Sequence, residues 1–145
     1  MEPDIVNPQP RHLWIVGFLS LMWNGFGAWD YTMTNIRDPG YLAQFPPEMM
    51  QVIDALPYWT IAAWALGVWG ALAGSLLLLL RSRFAVPAFA VSLAGLAASQ
   101  AYQATLDMPA VLTSPGMTAM TLAIWAAAIG FLVYAMRMKK ARALR

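Results

Sequence analysis

Long runs of uncharged residues alternate with short polar segments along this chain of 145 residues. The runs that contain no Asp, Glu, Lys or Arg cover residues 13–29, 58–80, 84–106 and 108–136. A helix needs about 20 apolar residues to cross a hydrocarbon core about 30 Å thick. We therefore predict four transmembrane helices, at about 13–32, 57–80, 84–106 and 115–138.

The segments between these helices carry turn and cap signals. Asp-Pro-Gly at 38–40 predicts a turn, and Pro-Pro-Glu at 46–48 suits the first turn of a short helix. Residues 35–56 would then form a periplasmic cap, whose short helix lies on the membrane surface or covers the end of the bundle. Ser114 followed by Pro115 predicts an N-cap and the first position of the last helix.

The fold class that follows is all-α. We predict a single domain over residues 1–145, an integral-membrane antiparallel four-helix bundle with a short periplasmic interfacial helix. Residues 1–10 contain three prolines and indicate a disordered tail. With the N-terminus inside, eight of the nine Lys and Arg residues lie on the inner side and only Arg37 lies outside. The positive-inside rule then places both termini on the cytoplasmic side of the membrane.

Composition excludes several classes of function. Apolar residues make up 60% of the chain and charged residues 11%, against about 45–50% and about 25% in soluble domains. There is no cysteine, and the one histidine, His12, lies at the start of the first helix, so we expect no cofactor and no metal site. The net charge of +2 comes largely from the tail after Met136, so we expect no nucleic-acid partner.

Polar side chains inside the predicted helices are the candidates for a binding site, because such groups are costly in hydrocarbon. They would line a small cavity that opens to the periplasm. The candidates are Asn24, Asp30, Tyr31, Ser99, Gln100 and Gln103. The alternative is that each makes an ordinary hydrogen bond between helices, worth about 0.6 kcal/mol on average.

Small residues spaced four apart form a second pattern. They let helix backbones approach closely, and they serve either packing within one bundle or an interface between subunits. The glycines that we select on this basis are Gly67, Gly70, Gly74, Gly95 and Gly130.

Two segments resemble a known group of proteins. They are residues 21–31, LMWNGFGAWDY, and residues 76–87, with Arg-Ser-Arg at 81–83 and Ala-Val-Pro at 85–87. On these segments the chain resembles small, mostly uncharacterised four-helix inner-membrane proteins of proteobacteria. The resemblance implies the fold and the location. Some members carry a sugar-transporter label, but no site residue carries over from them.

Three functional hypotheses remain open from the sequence, and an enzyme is not among them. No charged residue lies near the bilayer midplane, and no His–acid or Ser–Lys pair can be placed at one depth. The first hypothesis is an accessory or interaction protein, in a larger membrane complex or a homo-oligomer. The second is an oligomeric transporter of a small neutral solute such as a sugar. The third is a quinone or lipid binder with a lateral groove lined by Trp64, Trp69 and Trp125.

Overall fold

The computed structural model describes residues 9–145, and this part of the chain is all-α, 80% helical and without strands. The all-α fold class is therefore confirmed. The helices are α1 (Arg11–Asn35), α2 (Pro39–Leu42), α3 (Pro47–Ala55), α4 (Tyr58–Leu79), α5 (Ala85–Gln103) and α6 (Pro115–Lys140), with a 3₁₀ helix at Ala110–Thr113. The predicted tail over residues 1–10 lies mostly outside the described residues.

Three of the helices, α4, α5 and α6, are long and apolar enough to cross a membrane. Helix α1 has 25 residues, which at 1.5 Å per residue also gives a helix about 37 Å long. It is not among the three, because His12, Asn24 and Asp30 interrupt its apolar sequence. The chain is thus a multi-pass membrane protein with three candidate spans.

The segment between α1 and α4 contains two short helices rather than one. The Asp-Pro-Gly sequence at 38–40 begins α2 instead of forming an isolated turn: the Asp38 carboxylate accepts a hydrogen bond from the backbone N–H of Tyr41 at 2.7 Å. An Asp-Pro pair can also form an N-cap followed by the first helical residue. Asp38 and Pro39 have these positions at the start of α2. Helix α3 begins at Pro47, and none of its residues is buried.

Two further boundaries differ from the sequence-based prediction. Helix α5 ends at Gln103 instead of about residue 106, and residues 104–106 continue it as hydrogen-bonded turns. The predicted loop before α6 includes the 3₁₀ helix. Helix α6 starts at Pro115, and the Ser114 side chain accepts a hydrogen bond from the backbone N–H of Met117.

Helix α4 packs against both α1 and α5, and α6 packs mainly against α5. The buried apolar core lies at the end of the molecule where α1 begins and α6 finishes, which we call the closed end. Its members are Leu13, Leu78, Ala85, Phe89, Ala135 and Leu144. At the opposite end, which we call the open end, α6 packs loosely, since residues 115–120 at its start are all exposed.

The last residues of the chain dock onto the turn between α4 and α5 at the closed end. The backbone N–H of Arg145 donates to the carbonyl of Arg81 at 2.6 Å, and the N–H of Arg83 donates to the carbonyl of Arg145 at 2.7 Å. The Arg81 Nε donates to the carbonyl of Ala143 at 3.0 Å. Leu144 is only 7% exposed. The basic tail is therefore folded onto the bundle and contributes to its core.

Candidate functional site

Asn24 lies in the contact between α1 and α4. Its side-chain amide donates to the Ser75 Oγ at 2.8 Å and to the carbonyl of Ala71 at 3.3 Å. The Ser75 hydroxyl is fully buried and donates in turn to the carbonyl of Ala71 at 3.0 Å. The amide of Asn24 is thus part of a closed hydrogen-bond network between two helices.

Asp30 and Tyr31 lie near the open end of α1 and make separate contacts. The Asp30 carboxylate accepts a hydrogen bond from the hydroxyl of Tyr41. Burial, followed by this hydrogen bond, raises the pKa of Tyr41 well above its usual value. The ring of Tyr31 packs edge-to-face on Trp64 of α4, with centroids 4.8 Å apart. The first contact fastens α2 to α1 and the second fastens α1 to α4.

The three candidates on α5 are close to one another but not to those on α1. The Gln103 Nε2 donates to the Oγ of Ser99 at 3.2 Å, within the same helix. Ser99 is 4% exposed, and Gln100 and Gln103 are half-buried. The contacts of the predicted residues are therefore four separate ones, and none of them joins a candidate on α1 to a candidate on α5.

Two concavities are present at the open end. The larger, of about 370 Å³, lies between the end of α1, the end of α3 and the start of α4, and includes Arg37, Asp54 and Tyr58 in its lining. The smaller, of about 240 Å³, lies between α3 and the segment that follows α5. Neither of them is lined by any of the six predicted residues.

Four of the five selected glycines lie where α4 meets α5. A Cβ atom on Gly95 would be 2.6 Å from the carbonyl oxygen of Ala63, and one on Gly67 would be 3.3 Å from the backbone nitrogen of Leu96. Gly70 faces Ala88 and Ser92, and Gly74 faces the ring of Phe89. The Ser92 Oγ donates to the carbonyl of Gly67 at 2.5 Å. Because the glycines have no side chains, α4 and α5 are in backbone-to-backbone contact.

Gly130 of α6 is placed differently, with no atom within 4 Å of a Cβ built on it. It belongs to a row of small exposed residues on the side of α6 that the rest of the molecule leaves uncovered. The row consists of Ala119, Ala123, Ala126 and Gly130. Their spacing of four, three and four residues keeps them on one face of the helix. We call this row the α6 small-residue face.

The three tryptophans proposed for a groove do not all lie in one helix contact. Trp64 and Trp69 both pack on Tyr31, in the contact between α1 and α4. Trp125 lies on α6, a helix that packs mainly against α5.

Sequence reasoning missed the Arg37–Asp54 ion pair, which joins the segment after α1 to the end of α3 beside the larger concavity. The two residues are 17 positions apart and follow no helical or strand period. The sequence indicates this contact only through the opposite charges of the two residues and their position in the same segment, between α1 and α4. The pair of His12 and Tyr134, whose Nδ1 and hydroxyl oxygen are 2.6 Å apart, was also not foreseen, because it joins residues 122 positions apart.

No protein-family model, no curated protein and no solved structure matches this chain.

Replacing Asn24 with leucine is expected to have a small effect. The substitution removes two interhelical hydrogen bonds, each worth about 0.6 kcal/mol, and the Ser75 hydroxyl keeps its bond to the carbonyl of Ala71. Thermal unfolding of the purified variant in detergent should therefore show a loss of about 1 kcal/mol in the free energy of unfolding. A drop of several kcal/mol would show that Asn24 holds more than this contact.

Proposed function

We propose that this chain is an accessory or interaction subunit of the bacterial inner membrane, which binds another transmembrane helix through the α6 small-residue face. The bound helix belongs to a larger membrane complex or to a second copy of the chain. The supporting observation is that Ala119, Ala123, Ala126 and Gly130 remain exposed while the other helices of the molecule are already paired.

The proposal includes a fourth span formed by α1. Gly17 lies against Leu79, Asn24 against Ser75 and Tyr31 against Trp64, so α1 runs antiparallel to α4 along almost all of it. A helix in that position shares the depth of α4 in a bilayer. Large apolar side chains of α1 are exposed away from α4, as lipid contact requires. They are Ile15, Phe18, Leu19, Met22 and Phe26.

Four spans place both chain ends on one side of the membrane. The closed end collects Arg11, the arginines of the α4–α5 turn and the basic residues at the end of α6. The open end collects Arg37 and the acidic residues of the segment between α1 and α4. The positive-inside rule therefore supports a cytoplasmic closed end, with α2 and α3 in the periplasm. This arrangement agrees with the resemblance to small proteobacterial inner-membrane proteins, which stays a proposal.

Small residues support a protein partner rather than lipid alone on α6. In lipid, helices associate through close packing, which Gly and Ala permit and large side chains prevent. The contact between α4 and α5 in this molecule also depends on close packing at small residues, with Gly67 and Gly95 at its closest points. The α6 small-residue face offers comparable access to the backbone of α6, and no residue between positions 9 and 145 covers it.

The two alternatives have less support. A transporter needs Asn24 and Gln100 around a common path, and Asn24 is instead held in the contact between α1 and α4. A quinone or lipid binder of the kind expected from the tryptophans needs them around one lateral groove, and Trp64 and Trp69 pack on Tyr31 instead.

Extraction of the protein from native membranes in a mild detergent tests the proposal. The tag belongs at the N-terminus, because the last residues are packed in the closed end. We expect a particle larger than the monomer, with a second protein in fixed ratio or with several copies of this chain. Ala123→Phe should reduce it to the monomer, because a bulky ring on the face keeps the partner helix away.

The matched control is Ala97→Phe, which adds the same ring at an exposed position of α5 and should leave the particle intact. A wild-type protein that is monomeric in every mild detergent would contradict the proposal. So would equal particle sizes for the two variants and the wild type.

A further inference from the structure

The larger concavity at the open end combines opposite charges with an apolar wall. Arg37 and Asp54 provide the charges, and their side chains are 60% and 47% exposed. Ile53, Pro57 and Ile61 provide part of the apolar lining. Its volume of about 370 Å³ is at the lower end of the range for small-molecule sites, about 300–1,000 Å³.

The position of the concavity fixes the depth at which a ligand would bind. Tyr58 is the first residue of α4, a candidate span, and it lines the concavity while 95% of its surface is exposed. Trp59 follows and is 53% exposed. Exposed Tyr and Trp at the end of a span mark the level of the lipid headgroups. Ile61 lies one turn further along α4, so the apolar wall continues toward the hydrocarbon.

The ion pair favours a ligand that carries both charges. The guanidinium of Arg37 is cationic at neutral pH, and the hydrogen bond to Asp54 and the charge of this carboxylate raise its pKa further. An anion that displaced Asp54 from Arg37 would leave this carboxylate without its partner. A zwitterion supplies an anion for Arg37 and an ammonium for Asp54 together. Exchanging an exposed ion pair for two charge-assisted hydrogen bonds therefore leaves no charge unpaired.

We propose that this concavity binds the headgroup of a zwitterionic phospholipid with a primary ammonium group, the phosphate on Arg37 and the ammonium on Asp54. The glycerol and the first part of an acyl chain lie along Pro57 and Ile61. The primary ammonium has three N–H donors for the Asp54 carboxylate, which a quaternary ammonium lacks. This site is separate from the α6 small-residue face, so it stands or falls independently of the proposed interaction function.

Native mass spectrometry of the protein in detergent, with defined phospholipids added, tests the site. Phosphatidylethanolamine should bind to the wild type more tightly than phosphatidylglycerol or phosphatidylcholine. The double variant Arg37→Gln/Asp54→Asn should lose this preference, with an affinity for phosphatidylethanolamine lower by about tenfold. Because both charges are removed together, the variant keeps no unpaired charge and its thermal unfolding should stay close to that of the wild type.

Two controls separate the site from general lipid binding. Arg83→Gln removes an exposed arginine at the closed end, and Glu48→Gln removes an acid that lines the other concavity. Both should keep the wild-type preference. Equal binding of the three lipids by the wild type would overturn the proposal, as would a double variant that still prefers phosphatidylethanolamine.

Glycerophosphoethanolamine, the headgroup without acyl chains, distinguishes the two sources of this chemistry. At millimolar concentration it should fail to displace the bound lipid, because the apolar wall is part of the site. Displacement that depends on Arg37 and Asp54 would assign the site to a free zwitterion and would overturn a lipid as its occupant.

Discussion

Gly95→Ala is expected to push α4 and α5 apart and to destabilise the protein by about 1–3 kcal/mol. The new Cβ would lie 2.6 Å from the carbonyl oxygen of Ala63 and 2.7 Å from the backbone nitrogen of Gly67. Both atoms belong to the backbone of α4, which cannot rotate away as the end of a flexible side chain can. The two helices must therefore separate along their whole contact, including the hydrogen bond from Ser92 to Gly67.

Gly130→Ala is the matched control, because it adds the same methyl group to a helix where nothing lies within 4 Å. Alanine is favoured over glycine in a helix by about 1 kcal/mol, so this variant should be as stable as the wild type or more stable. Thermal unfolding in one detergent, followed by circular dichroism, gives both values. Equal stability of Gly95→Ala and the wild type would mean that α4 and α5 are not in backbone contact.

Local chemistry explains which parts of the fold the sequence predicts well. The start of α6 depends on Ser114 and Pro115, whose side chains determine a helix N-terminus without help from distant residues. Glycines four apart in α4 predict a close helix contact in the same way. In both cases the information lies within one turn or one helix.

The candidate polar cavity could not be predicted because it depends on which helix lies opposite each face. The helical period of α1 places Asn24 on a defined face of that helix. It does not predict that Ser75 of α4 lies opposite this face. Polar residues on α1 and α5 were assigned to one cavity because they lie at similar depth. In the structure both helices pack on α4. Asn24 of α1 donates to Ser75 of α4, whereas Gln103 of α5 donates to Ser99 of its own helix.

The ends of the polar segments were also ambiguous. Asp-Pro-Gly at 38–40 fits a turn and a helix start equally well, and only the contacts of Tyr41 with Asp30 and Trp29 favour the helix. The tail after Met136 carries five of the nine basic residues, and Ala143 and Leu144 are nevertheless buried. Two adjacent residues define no period, so nothing in the sequence predicts their burial.

Packing in this molecule decreases from one end to the other, and the proposals follow that gradient. The closed end holds the core and the docked tail, and the centre holds the glycine contact of α4 and α5. Toward the open end, the first six residues of α6, 115–120, are all exposed. The surface and the concavity that we propose for a partner helix and for a lipid both lie away from the closed end.

Leu144→Asp is expected to be the most damaging change outside the helices, with a loss of about 3 kcal/mol. Leu144 is packed with Leu13, Leu78 and Ala85, and a carboxylate there would have no partner among apolar side chains. The tail would have to leave the closed end. The hydrogen bonds that Arg145 makes with Arg81 and Arg83 would then be lost as well.

Arg142→Gly tests whether this loss comes from the buried side chain or from any change in the tail. Arg142 follows the C-cap residue of α6 and has a φ of 57°, in the left-handed region where glycine is preferred at a helix end. The glycine variant should be more stable by up to about 1 kcal/mol, because the left-handed strain of about 1–2 kcal/mol that it relieves exceeds the entropy of about 0.4–1 kcal/mol that glycine adds to the unfolded chain. This effect is opposite in sign to that of Leu144→Asp two residues away. Chemical denaturation of both variants in the same detergent compares them. If both substitutions destabilised the protein alike, the docked tail would be sensitive to any change of sequence, and burial of Leu144 would not be what fastens the last helix to the turn between α4 and α5.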